Sequence, residues 1–377
     1  MKKISTVILV AGKSSRFKHK NSKIFQDLCG QPIINYVYNI AKSISHKDVI
    51  FVCNKNNISE LKKKFTNSKF VIQKKQKGTA DAILCAKKYL KNKNCLILFG
   101  DAPMISLHSI KKLINSFYKN HSIGSMIAFR TANPKGYGRV KVDGKNVISV
   151  IEETNASIED KKINLCNSGV MLCESSLLFK NINKISNNNI KKELFLPDIF
   201  NIFRSIKKDF TYVLGNEDEM LGVNTINDLI NLENIFQKKI KDKIIKNGVI
   251  LQQPNTIRIS YDTKIKKGSI VEPFVNIKSG VKINENVIIK SFTEIENCKI
   301  GSDCSIGPSA RIRPYSKISS NVKIGNFVEI KNSIIGKNTS ISHLSYIGDS
   351  KLGNNVNIGA GTITCNYDGK RKNKTII

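Results

Sequence analysis

The sequence has no apolar run long enough to cross a membrane, no Cys-x-x-Cys pair and fewer than half as many acidic as basic side chains. The missing apolar run excludes a membrane-spanning helix. Nine cysteines without ligand-spaced partners argue against a zinc site or a disulfide framework. They favour reduced thiols in a cytoplasmic protein. With only five histidines, candidates for a catalytic imidazole are few.

The deficit of acidic side chains leaves a large but diffuse positive charge. The 377 residues carry 62 Lys and Arg against 29 Asp and Glu, a formal net charge of +33. Because the lysines are spread over the whole length, an A/T-biased coding background explains them better than nucleic-acid binding does, and phosphate-bearing substrates fit the charge just as well. A basic protein that binds nucleic acid or anionic surfaces is the alternative from another class. It predicts a concentrated patch with interleaved aromatics, which the sequence lacks.

Residues 1–224 alternate short apolar runs with helical stretches. Runs that are apolar throughout, as in strands buried on both faces, are Val7–Val10, Val49–Val52 and Leu96–Phe99. Helices are predicted between them, over 33–41 and 80–90. This alternation indicates an α/β domain with a mostly parallel, Rossmann-like sheet. A linker helix is predicted over 225–248, closed by Gly248.

Residues 249–377 repeat an aliphatic residue every six positions, with an occasional step of five. Neither a helix nor an ordinary strand sustains that period, whereas a six-residue rung with three rungs per coil does. The pattern predicts a parallel β-helix of hexapeptide repeats, about six coils long, with the aliphatic side chains inside. The repeated positions are Ile259, Ile265, Val271, Ile277, Ile283, Ile289, Ile295, Ile300, Ile306, Ile312, Ile318, Ile324, Ile330, Ile335, Ile341, Ile347, Leu352 and Ile358.

Two loops of the first part carry candidate chemistry. The loop Ala11-Gly12-Lys13-Ser14-Ser15-Arg16 follows the first strand, where backbone N–H groups can hold phosphates with help from Arg16 and Lys23. Asp101 follows a buried strand directly, at the sheet edge where a Mg²⁺ ligand is expected. Each fragment alone is explained equally well by a structural turn.

Together these pieces resemble the sugar-phosphate nucleotidyltransferases. Further motifs of that group are Gln73-Lys74-Lys75-Gln76-Lys77-Gly78-Thr79-Ala80, Gly136-Tyr137-Gly138-Arg139, Glu152, Asn167-Ser168-Gly169 and Gly222-Val223-Asn224. When the hexapeptide repeat is considered together with these motifs, the whole chain resembles one family. The most specific stretches are His343–Asp349 and Asn355–Gly369. The family is that of the bifunctional N-acetylglucosamine-1-phosphate uridylyltransferase/glucosamine-1-phosphate acetyltransferases of cell-wall precursor synthesis (the GlmU family). The resemblance implies a left-handed β-helix and a homotrimer.

The chain departs from the family pattern at three places. Ser14-Ser15 stands where Gly-Thr is usual, Ser22 where Pro is usual and Phe99 where Tyr is common. The run Ser-Ser-Arg-Phe is similar to molybdopterin-guanylyl and cytidylyl transferases, so the choice of nucleotide stays open here. The departures do not change the expected reaction type, which is nucleotidyl transfer.

For the first domain the resemblance implies a reaction of UTP with N-acetylglucosamine-1-phosphate. Asp101 and Asn224 would hold Mg²⁺, while Lys13, Arg16 and Lys23 would serve the phosphates. The uracil would be held by Gln73, Gln76, Gly78 and Thr79. The sugar would be bound by Gly138, Glu152, Asn167 and Asn224. The sugar phosphate then attacks the α-phosphorus in line and pyrophosphate leaves.

For the second domain the resemblance implies acetyl transfer from acetyl-CoA to glucosamine-1-phosphate, with His343 as the base. Arg313, Lys331 and Lys372 would bind the sugar phosphate, and Tyr346 and Asn357 the sugar. The residues implied near the sugar or the coenzyme are Ala360, Asn366 and Tyr367. Independently of any family, the repeat predicts that Arg313 and Lys331 stack in adjacent coils, because they are three rungs apart.

The last residues, Lys374–Ile377, look like the start of another rung. The resembling family carries further coils that contribute to the acetyl-CoA site, so the expectation is that 249–377 is incomplete as an acetyltransferase. An alternative within enzymes is a nucleotidyltransferase for another sugar phosphate, with a β-helix that only oligomerises.

Overall fold

The computed structural model describes residues 3–17, 19 and 22–377. The chain divides into two compact units. The first comprises Met1–Gln26 and Pro32–Ile230, and the second comprises Asp27–Gln31 and Asn231–Ile377. A five-residue segment from the N-terminal part therefore belongs to the C-terminal unit, which the sequence did not indicate.

The first unit is built on one mixed sheet with helices. Its strands are β1 (Ile4–Leu9), β4 (Val49–Cys53), β5 (Lys69–Ile72), β6 (Asn94–Phe99), β7 (Gly124–Arg130), β8 (Arg139–Asp143), β9 (Asn146–Ile151), β10 (Leu165–Glu174) and β11 (Phe210–Leu214). Its helices are α1 (Ile33–Ser45), α2 (Ile58–Lys64), α3 (Thr79–Ala86), α4 (Leu107–Lys119), α5 (Ile158–Lys161), α6 (Ser175–Asn181) and α7 (Ile199–Ser205). Two short strands, β2 (Asp27–Leu28) and β3 (Gln31–Pro32), pair with each other. The segment that belongs to the second unit contains β2 and the first residue of β3.

The sheet is covered on both faces. Val7 and Leu9 of β1 contribute to one core cluster, whereas Ile8 contributes to the other, because successive strand residues point to opposite sides. The first cluster contains side chains of α3, α6 and α7, and the second contains side chains of α1 and α4. Both clusters are apolar throughout, which explains why β1 and its neighbours read as continuous apolar runs.

The sheet is less parallel than the sequence predicts. The strand order is β5-β4-β1-β6-β10-β7-β11-β9-β8. The first four strands are parallel, but β10 runs antiparallel to both β6 and β7, and β8 and β9 form a hairpin. A hairpin reverses the chain where a crossover helix would keep its direction. Asp143-Gly144 between β8 and β9 is the turn signal that would have indicated this.

The second unit contains three sheets of parallel strands. Their orders are β12-β15-β18-β21-β24-β27-β30, β13-β16-β19-β22-β25-β28 and β14-β17-β20-β23-β26-β29-β31. The chain passes through the three sheets in turn, which is the connectivity of a β-helix. The strands are β12 (Ile250–Leu251), β13 (Arg258–Ile259), β14 (Lys264–Ile265), β15 (Ile270–Val271), β16 (Asn276–Ile277), β17 (Lys282–Ile283), β18 (Ile288–Ile289), β19 (Glu294–Ile295), β20 (Lys299–Ile300), β21 (Ser305–Ile306), β22 (Arg311–Ile312), β23 (Lys317–Ile318), β24 (Lys323–Asn326), β25 (Glu329–Lys331), β26 (Ile334–Ile335), β27 (Ser340–His343), β28 (Tyr346–Gly348), β29 (Ser350–Leu352), β30 (Asn357–Ile358) and β31 (Thr375–Ile376).

The repeated aliphatic residues form the core of this unit. All of them belong to a single buried cluster that runs along the coil. In the register, Ile312 lies beside Ile330, and the Arg313 N–H donates to the Ile330 carbonyl over 2.7 Å, so Arg313 and Lys331 are the next residues of adjacent coils. The stacking of these two cations in adjacent coils is what the period predicts.

Asparagine shapes many corners of the coil. Asn286, Asn321, Asn338 and Asn355 have φ angles of 57°, 59°, 58° and 61°. Asparagine enters this left-handed region more readily than other side chains that carry a Cβ. Neighbouring corners also bond to one another, since Asn338 donates to Asn355 over 3.0 Å. The abundance of Asn therefore has a structural use besides any coding bias.

The segment 27–31 is bound to the first rungs of the second unit. Ser260 Oγ donates to the Cys29 carbonyl over 3.0 Å, and Ser279 Oγ donates to the Gly30 carbonyl over 2.7 Å. A Cβ on Gly30 would lie 2.0 Å from Ser260 Oγ, so only glycine fits there. Helix α8 (Ile226–Lys246) begins in the first unit and ends in the second.

No helix within 3–17, 19 and 22–377 is both long and apolar enough to cross a membrane.

The two adjacent isoleucines of β26 test which side chains point into the core of the coil. Ile335 is fully buried, whereas Ile334 is 41% exposed. We expect Ile335→Ala to lower the free energy of unfolding of this unit by about 2–5 kcal/mol, through lost burial and a cavity. Ile334→Ala should cost less than ~1 kcal/mol. Urea unfolding followed by circular dichroism measures both, and equal losses would contradict the assignment of the inward side.

Candidate active sites

The loop after β1 is held by two asparagines that follow β4. Asn57 Nδ2 donates to the Val10 carbonyl over 2.7 Å. Asn54 Nδ2 donates to the carbonyls of Ala11 and Gly12 over 3.3 and 3.2 Å. The loop's carbonyl groups are thus engaged by the protein, and the opposite side of the loop lines a cavity. Sequence reasoning missed both asparagines, although β4 is the parallel neighbour of β1.

Four predicted residues meet beside this loop. Lys23 Nζ forms an ion pair with Asp101 and donates to Asn224 Oδ1 over 3.2 Å. Arg16 Nη2 donates to the same Asn224 oxygen over 3.1 Å. A carboxylate and an amide oxygen therefore converge on one cationic group, although their residues are far apart in sequence.

The position of Asn224 is fixed by the start of α8. Asp228 Oδ2 accepts from the backbone N–H groups of Asn224 and Thr225 over 2.9 and 2.8 Å. The Asp228 N–H in turn donates to Thr225 Oγ1 over 3.1 Å. These reciprocal bonds cap the helix. Sequence reasoning did not single out Asp228.

Two cavities adjoin at these residues. One, of about 440 Å³, is lined by the β1 loop and by the motif around Gln73, and the other, of about 530 Å³, is lined by Gly138, Glu152 and Asn167. Lys13 lines the first cavity only. The residues that line both are Arg16, Phe99, Asp101 and Asn224. One cavity has the residues predicted for the nucleotide, the other has those predicted for the sugar, and the predicted metal ligands lie where they join.

The loop predicted to read the base is held by a strip that the sequence did not single out. Leu194 N–H donates to the Lys77 carbonyl over 2.7 Å, and the Leu194 carbonyl accepts from Ala80 N–H over 3.0 Å. Leu196 N–H donates to Thr79 Oγ1 over 2.9 Å. A Cβ on Gly78 would lie 2.5 Å from the Leu194 carbonyl oxygen, so glycine is required.

Gln76 connects the two loops of this cavity. Its Nε2 donates to the Ala11 carbonyl over 2.5 Å, from a residue with a positive φ of 42°. Gln76 was predicted to hold the uracil, and its amide nitrogen is bonded to the β1 loop. Gln76 lines the cavity and also holds the two loops together.

The sugar-side cavity brings Gly138, Glu152 and Asn167 together. A Cβ on Gly138 would lie 3.4 Å from Glu152 Oε1 and 3.6 Å from Asn167 Cβ. Asn167 N–H donates to the Gly138 carbonyl over 2.8 Å. Burial raises the pKa of the Glu152 carboxyl, nearby Asp198 adds to the rise, and Lys191 opposes it. The wall thus holds a carboxylate that is costly to keep charged.

In the second unit, His343 lies next to Asn326 of the preceding coil. The His343 Nδ1 to Asn326 Oδ1 distance is 2.8 Å, and the two residues are register partners. An amide oxygen only accepts, so in this arrangement Nδ1 carries the proton and Nε2 is the basic nitrogen. Asn326 was not predicted.

Arg313, predicted for the sugar phosphate, and Tyr346, predicted for the sugar, are both next to Glu329. Arg313 Nη1 is 2.7 Å from Glu329 Oε1, and Glu329 is the register partner of Tyr346. The Asn366 amide donates to the Tyr346 hydroxyl over 3.5 Å and to Asp349. A hydrogen bond from Asn332 lowers the pKa of Asp349, and the Asn366 bond adds to this.

The remaining predicted residues of this site lie in and after β30. Asn357 begins that strand and Ala360 follows it. Tyr367 and Lys372 form an isolated bridge in the exposed loop before β31. Within the described residues, no hydrogen bond joins this loop to His343.

Among the described residues, no three His, Cys, Asp or Glu side chains are grouped as a metal cluster would be.

Neighbouring glutamates give opposite expectations for stability. The raised pKa of Glu152 means that the cost of its buried carboxylate is absent below the unfolded value and grows as the pH rises through the folded value. We expect Glu152→Gln to melt at a higher temperature than the unmodified chain near ~pH 8, and the gap to close as the pH falls.

The control for this prediction is Glu153→Gln. Glu153 Oε2 pairs with Nη2 of the buried Arg139 over 2.7 Å, so its loss should lower the melting temperature at neutral pH. Thermal scans across pH measure both variants. A melting-temperature difference between Glu152→Gln and the unmodified chain that stayed constant across pH would show that the charge of the Glu152 carboxylate does not destabilise the fold.

Comparison with known proteins concerns the fold and the family of the chain. The family model of the MobA-like NTP transferase domain matches residues 6–153, and that of the GMPPB C-terminal domain matches residues 294–368. A solved structure from Bacillus anthracis, described as a glucose-1-phosphate thymidylyltransferase, has a TM-score of 0.50 at 16% identity and covers 62% of this chain and 94% of its own. This likeness concerns the fold alone.

Curated relatives match along the whole chain. The bifunctional protein GlmU of Buchnera aphidicola subsp. Schizaphis graminum is 43% identical over 100% of this chain and 86% of its own length. Those of Bartonella bacilliformis and Thermosipho melanesiensis are 36% and 38% identical over 99% of this chain, and 84% and 85% of their own lengths. The predicted resemblance is confirmed, and the chain belongs to the GlmU family of bifunctional transferases.

Proposed function

We propose that the first unit transfers UMP from UTP to N-acetylglucosamine-1-phosphate, giving UDP-N-acetylglucosamine and pyrophosphate. The observation that carries this proposal is the junction of the two cavities at Arg16, Asp101 and Asn224. A nucleotide in one cavity and a sugar phosphate in the other would bring their phosphates to these residues. Transfer between two bound substrates needs such a meeting point.

The donor atoms at the junction fit a magnesium ion. The Asp101 carboxylate and Asn224 Oδ1 both point at a cation, the Lys23 ammonium. Mg²⁺ takes oxygen ligands, usually one or two from the protein with the rest from phosphates and water. When bound there, it would neutralise charge on the phosphates. Its residues would be Asp101 and Asn224.

The chain's own residues position the reactants and offset negative charge. Arg16 and Lys23 donate toward the junction, where charge on the α-phosphate and the leaving pyrophosphate develops. Asn54 and Asn57 hold the β1 loop in place for the phosphates. No side-chain base is required, because the sugar-phosphate oxygen is already ionised near neutral pH.

For the second unit we propose transfer of an acetyl group from acetyl-CoA to the amino group of glucosamine-1-phosphate. His343 Nε2 would take the proton that the attacking amine loses, since Nδ1 is held by Asn326. Arg313 and Lys331, stacked in adjacent coils, would hold the phosphate.

The remaining parts of the proposal rest on the family and the fold. We propose that the coil is left-handed, that the chain forms a homotrimer, and that the functional domains divide as 1–224, the linker helix 225–248 and 249–377. All nine cysteines lie within the described residues and are free thiols, which supports a reducing compartment such as the cytoplasm.

Asp101→Ala should abolish Mg²⁺-dependent release of pyrophosphate from UTP and N-acetylglucosamine-1-phosphate while the fold persists. Arg16→Ala and Lys23→Ala should each cost about 2–4 kcal/mol of transition-state stabilisation, as the loss of one electrostatic donor does. Product analysis by chromatography and a coupled pyrophosphate assay give the rates. Asp143→Ala, a change at the exposed last residue of β8, is the control. Near-normal turnover by Asp101→Ala would remove that residue from the site.

His343→Ala should lower the rate of glucosamine-1-phosphate acetylation at least ~100-fold, the usual contribution of a general base. Asn326→Ala should lower it about 10-fold, because the imidazole loses its orienting bond. Both variants should keep uridylyl transfer, assayed on the same preparations. His121→Ala, at an exposed histidine of the first unit, controls for histidine loss. Undiminished acetylation by His343→Ala would exclude its role as the base.

A further inference from the structure

The side-chain amide of Gln73 is held in one orientation. Gln73 is 6% exposed and follows β5, where it lines the nucleotide-side cavity. Its Nε2 donates to the Gly78 carbonyl over 2.9 Å and to Asp81 Oδ2 over 2.8 Å. A carbonyl and a carboxylate only accept hydrogen bonds, so the NH₂ end must face them. The reverse orientation would place the Gln73 oxygen against two other acceptors.

This orientation determines what Gln73 can offer a ligand. Both N–H groups of the amide are used within the protein, which leaves Oε1. Within the described residues Oε1 has no hydrogen-bond partner. Gln73, which lines the cavity, therefore has only an acceptor left to offer a ligand, although a glutamine that is free to turn could either donate or accept.

Of the two acceptors that hold the Gln73 amide, only the Asp81 carboxylate belongs to a side chain. It lies in the first turn of α3, where its carboxylate also accepts from Lys77 N–H over 3.4 Å. The Gly78 carbonyl belongs to the backbone and is present whatever residue occupies the position. The second acceptor exists because position 81 is an aspartate.

We propose that Asp81 is a positioning residue that sets base specificity, by holding Gln73 as an acceptor so that a pyrimidine with an N3–H is taken and one with an N3 lone pair is refused. This inference rests on the proposed nucleotidyl transfer in the first unit. It concerns UTP against CTP, whose rings have the same size and differ only in their hydrogen-bonding edge.

The two bases present opposite patterns to this wall. Uracil offers N3–H between two carbonyl oxygens, which suits an acceptor flanked by donors. The donors available beside Gln73 are the backbone N–H groups of Gly78, which precedes α3, and of Thr79, which begins it; such groups have no partner inside a helix. Cytosine would direct its N3 lone pair at Oε1 and its amino group at an N–H. A site built on hydrogen bonds discriminates strongly against such a mismatch.

The test compares kcat/KM for UTP and CTP with N-acetylglucosamine-1-phosphate, using the full chain. The unmodified chain should prefer UTP by at least ~100-fold. Asp81→Ala should lower that preference at least ~10-fold, because the amide can then turn at the loss of one bond. Asp81→Asn, whose oxygen still accepts, should retain the preference within about 3-fold. Glu60→Ala, in the first turn of α2, is the matched control and should change nothing.

A merely structural role for Asp81 would lower both rates equally and leave the UTP/CTP ratio unchanged, which would overturn the inference. Gln73→Met keeps Asp81 and most of the volume but removes the acceptor. It should also reduce the ratio, so an unchanged ratio there is a second contrary result, even if Asp81→Ala does not fold.

Calorimetric binding of UTP and CTP with Mg²⁺ and no sugar phosphate separates this inference from the proposed function. Preference for UTP that is lost in Asp81→Ala, without any sugar nucleotide formed, would contradict the proposed function and support the inference. Formation of UDP-N-acetylglucosamine with an unchanged ratio in Asp81→Ala would contradict the inference alone.

Discussion

The ion pair between Lys23 and Asp101 is the contact on which the first site depends. It joins the segment after the β1 loop to the edge of β6, and Lys23 extends the contact to Asn224 before α8. Three distant parts of the chain are thus joined at one point by an ion pair and a hydrogen bond. The surrounding elements serve this point, since Asn54 and Asn57 hold the loop on one side and Asp228 holds Asn224 on the other.

The location of this site could be predicted because the carboxyl ends of parallel strands lie at the same edge of a sheet. Loops at the carboxyl ends of neighbouring strands meet at one edge, so the glycine loop and Asp101 could be placed together from the apolar runs alone. The β-helix could be predicted because every sixth side chain must enter the same narrow core. The column from Ile259 to Ile358 is buried without exception, and its period has no other common explanation.

The rest depends on contacts that leave no period in the sequence. The direction of β10 follows from a hairpin, the partners of Gln73 follow from how a loop closes, and the bonds of Leu194 follow from a strip of irregular backbone. Asn326 can be identified as a partner of His343 only from the register of the coil, which places the two residues side by side. Such contacts join residues that are far apart along the chain, and a single sequence contains no spacing that relates them.

The membership of Asp27–Gln31 in the second unit has a consequence for how the molecule is made. During synthesis, Gly30 is added 249 residues before Ser279, its hydrogen-bond donor. At common translation speeds that interval lasts roughly 10–50 s. During that interval the segment has none of these hydrogen-bond partners. No single cut of the gene yields the second unit whole, because a fragment that begins at residue 231 lacks the strip that Ser260 and Ser279 bind.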